Sequence, residues 1–126
     1  MILGHGIDVV EIPRMQRIIE KYGERFLEKY FDVSELEYAR GLKNIAPYFA
    51  SRFAAKEAFS KASGTGFTGF GFKDVFVTRE SGEPPKFGFS EKLKTVFPGI
   101  RESDFFLSIS HEKKVAVASV IWVQKK

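Results

Sequence analysis

The stretch from Pro47 to Gly64 constrains the fold of this chain most. It contains the helix-forming segment SRFAAKEAFSKASG, which is rich in alanine and phenylalanine. Proline suits the first turn of a helix and glycine suits its end, so we predict that the longest helix runs from Pro47 to Gly64. The segment also carries four charged residues, Arg52, Lys56, Glu57 and Lys61. A helix that only packs against a core needs no such charges beside its apolar face.

The other segments predict an α+β fold, in which a mainly antiparallel sheet packs against the long helix and shorter helices. ILGHGIDVVEI is β-branched and predicts an opening strand that bends at Gly4 or Gly6. Pro13 begins a helix that continues to Gly23, and ERFLEKYF adds a short helical piece. In DVSELEYARGL, Ser34 and Glu37 predict a capping box.

The second half of the chain predicts two hairpins separated by a short helix. FKDVFVTRE and PKFGF flank a turn at Ser81 and Gly82, and Ser90 caps the helix SEKLKTVF. DFFLSISH and VAVASVIWV alternate with a period of two on either side of a charged turn.

Length and composition set the class of protein. The 126 residues predict one domain, 1–126, and the formal net charge of +4 favours an anionic partner. The absence of cysteine excludes disulfides and thiolate metal sites and fits a reducing compartment. The amino-terminal segment lacks the pattern of a signal peptide, and no stretch approaches the roughly 20 apolar residues of a membrane span. We therefore expect a cytoplasmic protein with no membrane partner.

Asp8 and Glu57 are the candidate metal ligands. Asp8 lies among apolar residues of the opening strand, where a carboxylate needs a cation, a donor or water. Glu57 emerges from the apolar side of the long helix, on one ridge with Phe53 and Lys61. If the two acids face each other, Mg²⁺ between them would relieve their repulsion. The alternatives are an aspartate bonded to backbone N–H groups and a Glu57–Lys61 surface ion pair.

Three further features could bind phosphate. Arg52 and Lys56 would form a cationic wall beside that ridge, and His111 ends a strand next to a turn. GTGFTGFG, from Gly64 onward, is similar to a phosphate-binding loop but lacks the full spacing of one. The alternatives are a structural histidine and a flexible turn.

Taken together, four blocks resemble one family. GIDVVEIPRM, RFAAKEAFSKASGTG, FKDVFVTRESGEP and SISHEKKVAVASVI, in this order, are similar to the phosphopantetheinyl transferases, and the chain length resembles the short holo-acyl-carrier-protein synthase type. The resemblance spans essentially the whole chain, and RFAAKEAFSKA is its most specific block. One departure is GEPPK, where Glu83 stands in place of the family's more usual lysine or arginine.

The resemblance implies transfer of 4′-phosphopantetheine from coenzyme A to a serine of apo acyl carrier protein, for fatty acid biosynthesis. It implies Asp8 and Glu57 as Mg²⁺ ligands, with Lys61 neutralising the leaving phosphate. Either Glu57 or a metal-bound water could act as the base. The residues implied for binding coenzyme A are Arg52, Lys61, Gly64, Gly66 and His111, with Arg52 and His111 at the 3′-phosphate. The resemblance also implies a homotrimer in which His111 and Glu57 serve one site from different subunits.

The first helix offers a docking surface for the carrier protein. Arg14, Arg17 and Lys21 fall at i, i+3 and i+7 with Ile18 beside them, and together they define the basic stripe. The stripe suits an acidic carrier protein, and a solvated helix face is the alternative. A non-enzymatic nucleic-acid-binding module would also explain the charge and the 14 phenylalanines. The chain lacks an RNP-like aromatic strand and a dense basic arm, so we expect no nucleic-acid partner.

Overall fold

A three-stranded antiparallel sheet packs against one long helix in the computed structural model, which describes residues 1–125. The strands are β1 (Ile2–Glu11), β2 (Val75–Thr78), β3 (Lys86–Phe89), β4 (Ser103–His111) and β5 (Val115–Gln124). The helices are α1 (Ile12–Tyr22), α2 (Glu24–Tyr30), α3 (Val33–Ala39), α4 (Ile45–Ser63) and α5 (Glu91–Val96). Short 3₁₀ helices cover Phe72–Asp74 and Pro98–Glu102. The predicted α+β class is confirmed.

Two antiparallel sheets organise the strands. The larger one has the order β1-β5-β4, with Asp8 opposite Ala118 and His111 opposite Ala116, and the smaller one is the β2-β3 hairpin. Burial alternates strictly along most of β5, as the sequence pattern predicts, because one face of the sheet packs on α4. Within residues 1–125, none of the helices has the length and apolar character needed to cross a bilayer.

Glycine permits an unusually close approach between β1 and α4. A Cβ atom added at Gly4 would collide with the carbonyl oxygen of Ala62, and one added at Gly6 with that of Ala58. We call these four residues the glycine–alanine seam. The register of β1 also shifts between Ile2 and Gly4, which agrees with the predicted irregularity near Gly4.

Two helix starts differ from the sequence predictions. Helix α4 begins at Ile45, so Pro47 is its third residue; proline is tolerated there because the first four N–H groups of a helix lack intrahelical partners. The predicted capping box was also wrong. Asp32 caps α3 by accepting from Ser34 N at 3.0 Å, and Glu35 accepts from Asp32 N at 2.9 Å. Ser34 is therefore a helical residue rather than the cap.

The remaining helix ends follow the predictions. Pro13 lies in the first turn of α1, Ser90 accepts from Leu93 N at 3.1 Å, and Gly64 ends α4 with a left-handed φ of 79°.

The core around the last turns of α4 is aromatic. Phe59 is fully buried and its ring packs against six others, those of Phe70, Phe87, Phe89, Phe97, Phe105 and Trp122.

Candidate active site

Asp8 and Glu57 line the same cavity, which we call the acidic cavity. Its volume is about 290 Å³, and it lies between β1, α1 and α4. Asp8 is on the face of β1 that packs against α4, because it shares the alternation of Gly4 and Gly6. Glu57 extends from the middle of α4 toward it. The rest of the lining is Val9, Val10, Glu11, Arg14, Met15, Ile18, Phe26 and Phe53.

Lys61 bridges to Asp8 rather than to Glu57. Its Nζ lies 3.0 Å from Asp8 Oδ1 and also donates to the Ile7 carbonyl at 3.0 Å. Among residues 1–125 the Glu57 carboxylate has neither a hydrogen bond nor an ion pair, so the alternative of a Glu57–Lys61 surface pair is wrong. Burial raises the pKa of Glu57, the negative charge of Asp8 raises it further, and Lys61 opposes the shift.

The chemistry of these two acids fits Mg²⁺. Both supply hard carboxylate oxygens, and a divalent cation would relieve their mutual repulsion, which adds to burial in raising the pKa of Glu57. Across residues 1–125, no group of three or more His, Cys, Asp or Glu side chains is arranged to hold a metal ion. Two protein ligands suffice for Mg²⁺, which usually keeps several waters and binds substrate phosphates.

The predicted cationic wall is wrong because Lys56 is buried. Its side chain is 0% exposed, and its Nζ lies 2.7 Å from Glu35 Oε1. Burial lowers the pKa of Lys56, and the adjacent Glu35 carboxylate opposes that shift. Arg52 alone of the two predicted wall residues reaches a cavity. Local sequence patterns do not indicate this burial, because the partner of Lys56 lies 21 residues away.

Arg52 and His111 line a second cavity, of about 370 Å³, together with Arg79. We call it the basic cavity. The Arg52 guanidinium lies 4.3 Å from the ring centroid of Tyr48, and its Nε is buried with no hydrogen-bond partner in the described part of the chain. Burial raises the pKa of Tyr48 to about 12. The ring of Tyr48 stacks on Tyr38, with centroids 5.2 Å apart.

Arg79 is the residue of this cavity that the sequence reasoning missed. It follows directly after β2, where it looks like an ordinary charge beside a turn, and it meets Arg52 only through tertiary packing. Its Nε donates to the Glu83 carbonyl at 3.2 Å, inside the hairpin that contains the GEPPK segment. No local pattern in the sequence indicates this position.

Within one chain, the predicted coenzyme A residues fall into two groups. Gly64 ends α4 one turn after Lys61, and Gly66 N donates to the Ser60 carbonyl at 3.2 Å. Neither glycine lines the acidic or the basic cavity. Arg52 lies on an earlier part of α4, and the two cavities share no lining residue. A single chain therefore does not bring Arg52 and His111 to Asp8 and Glu57.

The basic stripe begins at the acidic cavity. Arg14 and Ile18 line that cavity, whereas Arg17 and Lys21 are exposed farther along α1. Lys21 Nζ lies 5.3 Å from the ring centroid of Tyr22. A molecule lying on α1 would thus reach the carboxylates of Asp8 and Glu57.

Comparisons with known proteins agree on one family. The model of the 4′-phosphopantetheinyl transferase superfamily matches residues 4–120. The chain is 44% identical over 122 residues to a holo-[acyl-carrier-protein] synthase of Koribacter versatilis, covering 96% of this chain and 98% of that protein. The crystal structure of a Neisseria meningitidis holo-[acyl-carrier-protein] synthase is similar with a TM-score of 0.91 and 32% identity, covering 98% and 100% of the two chains. A Bacillus anthracis holo-(acyl-carrier-protein) synthase in complex with CoA (3′,5′-ADP) is similar with a TM-score of 0.83 and 36% identity, covering 99% of each chain.

Proposed function

This chain belongs to the 4′-phosphopantetheinyl transferase superfamily and is an enzyme of its holo-[acyl-carrier-protein] synthase type, and on that premise we propose its reaction. It transfers 4′-phosphopantetheine from coenzyme A to a serine of apo acyl carrier protein and releases adenosine 3′,5′-bisphosphate. The transfer serves fatty acid biosynthesis in the cytoplasm and is carried out by one domain, 1–126. The observation that carries the proposal is the acidic cavity, which Asp8 and Glu57 line and where Lys61 bonds to Asp8, on a fold shared with a relative solved with CoA.

The reaction forms a bond between the serine oxygen and phosphorus and breaks the diphosphate bond of coenzyme A. Such transfers depend mainly on positioning and on neutralised charge. Asp8 and Glu57 would hold Mg²⁺, which would supply positive charge at the diphosphate. Lys61, already at the edge of the cavity beside Asp8, neutralises the charge that develops on the leaving phosphate.

The serine must lose a proton during the attack. Glu57 is the proposed acceptor, because Asp8 is held by Lys61 whereas the Glu57 carboxylate has no protein partner within the described residues. The acceptor must lie within hydrogen-bond reach of the serine hydroxyl, and Glu57 lines the cavity that Arg14 and Ile18 also border.

Coenzyme A would be shared between subunits of a homotrimer. Lys61, Gly64 and Gly66 contribute from one subunit, and Arg52 and His111 bind the 3′-phosphate from its neighbour. Two observations support this arrangement. The acidic and basic cavities are separate within one chain, and the outer face of the larger sheet exposes Ile7, Val9 and Phe106. An apolar patch of this kind is typical of a surface that another protein chain covers.

The carrier protein would dock on the basic stripe. Arg14, Arg17 and Lys21 are exposed, and the stripe leads into the acidic cavity through Arg14 and Ile18. An acidic helix lying on it would be attracted by three positive charges, and its serine would approach Glu57.

One experiment tests the proposed function directly. Apo acyl carrier protein is incubated with coenzyme A, Mg²⁺ and this protein, and its intact mass is then measured. We expect a mass increase equal to one 4′-phosphopantetheine group and release of adenosine 3′,5′-bisphosphate. An unchanged mass, together with a salt-dependent shift of single-stranded RNA, would instead favour the nucleic-acid-binding alternative.

A further inference from the structure

The ion pair between Glu35 and Lys56 takes no part in the proposed chemistry, although it lies one residue from Glu57. Both side chains are fully buried. Lys56 Nζ donates at 2.7 Å to Glu35 Oε1 and at 3.0 Å to the carbonyls of Tyr30 and Phe72. All three N–H groups of the ammonium therefore have an acceptor.

Both oxygens of the Glu35 carboxylate are bonded as well. Oε1 also accepts from Asp32 N at 2.9 Å, and Oε2 accepts from Val77 N at 3.0 Å. The pair consequently ties α3, α4 and β2 together at one point. A buried ion pair often stabilises a fold no more than apolar residues of the same volume would. The elements that this pair connects therefore say more about its role than its contribution to stability does.

The same three elements form the walls of a smaller cavity beside the pair, of about 190 Å³. Its lining is Ser34 and Tyr38 from α3, Tyr48 and Arg52 from α4, and Val77, Thr78 and Arg79 from the end of β2. Val77 donates its N–H to Glu35, Ser34 precedes Glu35, and Arg52 lies one turn before Lys56. Arg52 and Arg79 also line the larger basic cavity, so both cavities depend on how β2 sits against α4.

We propose that Glu35 and Lys56 are a positioning pair that sets the distance between Arg52 and Arg79 for binding the 3′-phosphate of coenzyme A. The inference rests on the proposed function and adds Arg79 to the groups that recognise this phosphate. Without the pair, Val77 loses its anchor on α3, and Arg79 two residues later is no longer held opposite Arg52. Two guanidinium groups can bind one phosphate well only at a fixed spacing. The pair thereby determines how well the enzyme discriminates coenzyme A from the analogue that lacks the 3′-phosphate.

The test compares binding of these two compounds to the full-length protein. Calorimetry gives the Kd of coenzyme A and of 3′-dephospho-coenzyme A for the wild type and for the double variant Glu35→Leu with Lys56→Met. The double variant is used because a single substitution would leave a buried charge without a partner. Glu37→Gln is the matched control, because Glu37 lies on the same helix in an exposed ion pair with Arg40.

We expect the double variant to bind coenzyme A about tenfold more weakly, since it loses a charge-assisted contact, and to bind the dephospho compound as the wild type does. Its kcat at saturating coenzyme A should stay near the wild-type value, and Arg79→Gln should show the same change in the two Kd values. Glu37→Gln should leave both Kd values unchanged.

If the wild type binds coenzyme A, the proposed function stands, and three outcomes would then overturn only the inference. These are a double variant with the wild-type ratio of Kd values, one that loses both compounds equally, and one that circular dichroism shows to be unfolded. A wild-type protein that binds neither compound would instead contradict the proposed function itself.

Discussion

Lys61 and Asp8 form an ion pair across the interface between α4 and β1, with Nζ 3.0 Å from Oδ1, although they are 53 positions apart in the chain. Lys61 is on the same ridge of α4 as Glu57, yet it bonds to the strand. The pair therefore links the two elements that carry the proposed metal ligands, and it leaves the Glu57 carboxylate free to face the cavity.

Lys61→Met should lower kcat strongly and change stability little. The Lys61 side chain is 52% exposed, so loss of its ion pair should cost well under about 1 kcal/mol. Loss of a positive charge beside the leaving phosphate should cost about 10²-fold in kcat. Lys94→Met, which removes a half-buried lysine paired with Glu91 at 3.6 Å, is the control. Steady-state kinetics measure kcat and thermal melts measure stability. An equal kcat for the two variants would mean that Lys61 has a purely structural role.

Asp8→Asn and Glu57→Gln should each reduce transfer by about 10²-fold or more, because each removes a charge from the proposed Mg²⁺ site. Mg²⁺ added without substrate should raise the Tm of the wild type and fail to raise that of either variant. Glu91→Gln, an exposed acid on α5, should behave as the wild type. Wild-type rates at limiting Mg²⁺ from both purified variants would rule out the two-carboxylate site.

Glu57→Gln should also stabilise the metal-free protein at neutral pH. The pKa of Glu57 is raised in the folded state, so its contribution to stability is fully present below the unfolded pKa and is lost as pH rises through the folded pKa. The Tm of the variant should exceed that of the wild type near neutral pH, and the difference should vanish below about pH 4. Thermal melts in a chelating buffer, at pH values from about 4 to neutral, measure this difference in Tm. A difference independent of pH would show that the carboxylate charge is not its cause.

Replacement of both Arg14 and Arg17 by glutamate should raise the KM for carrier protein and leave the KM for coenzyme A nearly unchanged. The salt dependence of the rate should also flatten, because the stripe then no longer attracts an acidic partner. Glutamate at Lys92 and Lys94 together makes the same change in net charge on α5, away from α1, and serves as the control. Equal KM values for carrier protein in low salt would place the docking surface elsewhere.

Co-expression of the Glu57→Gln and Arg52→Ala chains should restore activity that neither variant has alone. If one subunit supplies Glu57 and its neighbour Arg52, random mixing leaves about a quarter of the sites with both residues intact. Sedimentation should show the mass of three chains. If activity stays at the level of the single variants, each site is complete within one chain.

The parts of the fold that the sequence predicts well are those set by local patterns. The alternation of β5, the Ser90 cap and the Gly64 terminus depend on neighbouring residues, and all three are present. Spacing along α4 also puts Glu57 on the side of the helix that faces Asp8, since the helical period fixes which residues share a face.

The failures have a common physical origin in contacts between distant segments. Burial of Lys56 depends on Glu35 from another helix, and the basic cavity depends on Arg79 from a hairpin. A lysine in a charged stretch of helix is usually exposed, so only the tertiary partner distinguishes Lys56 from its neighbours. Asp32 with Glu35 and Ser34 with Glu37 both have the spacing of a capping box. The spacing alone therefore does not show that Asp32 is the cap.

The glycine–alanine seam bears on how this enzyme can evolve. Gly4 and Gly6 hold β1 against the backbone of α4, and the same two elements carry Asp8 and Glu57. One added methyl group would push the strand from the helix and move one carboxylate relative to the other, with no change to either acid. We therefore expect substitution of either glycine to be tolerated as poorly as substitution of either acid. The lack of a side chain at Gly4 and Gly6 is therefore as much a requirement of this active site as its two carboxylates are.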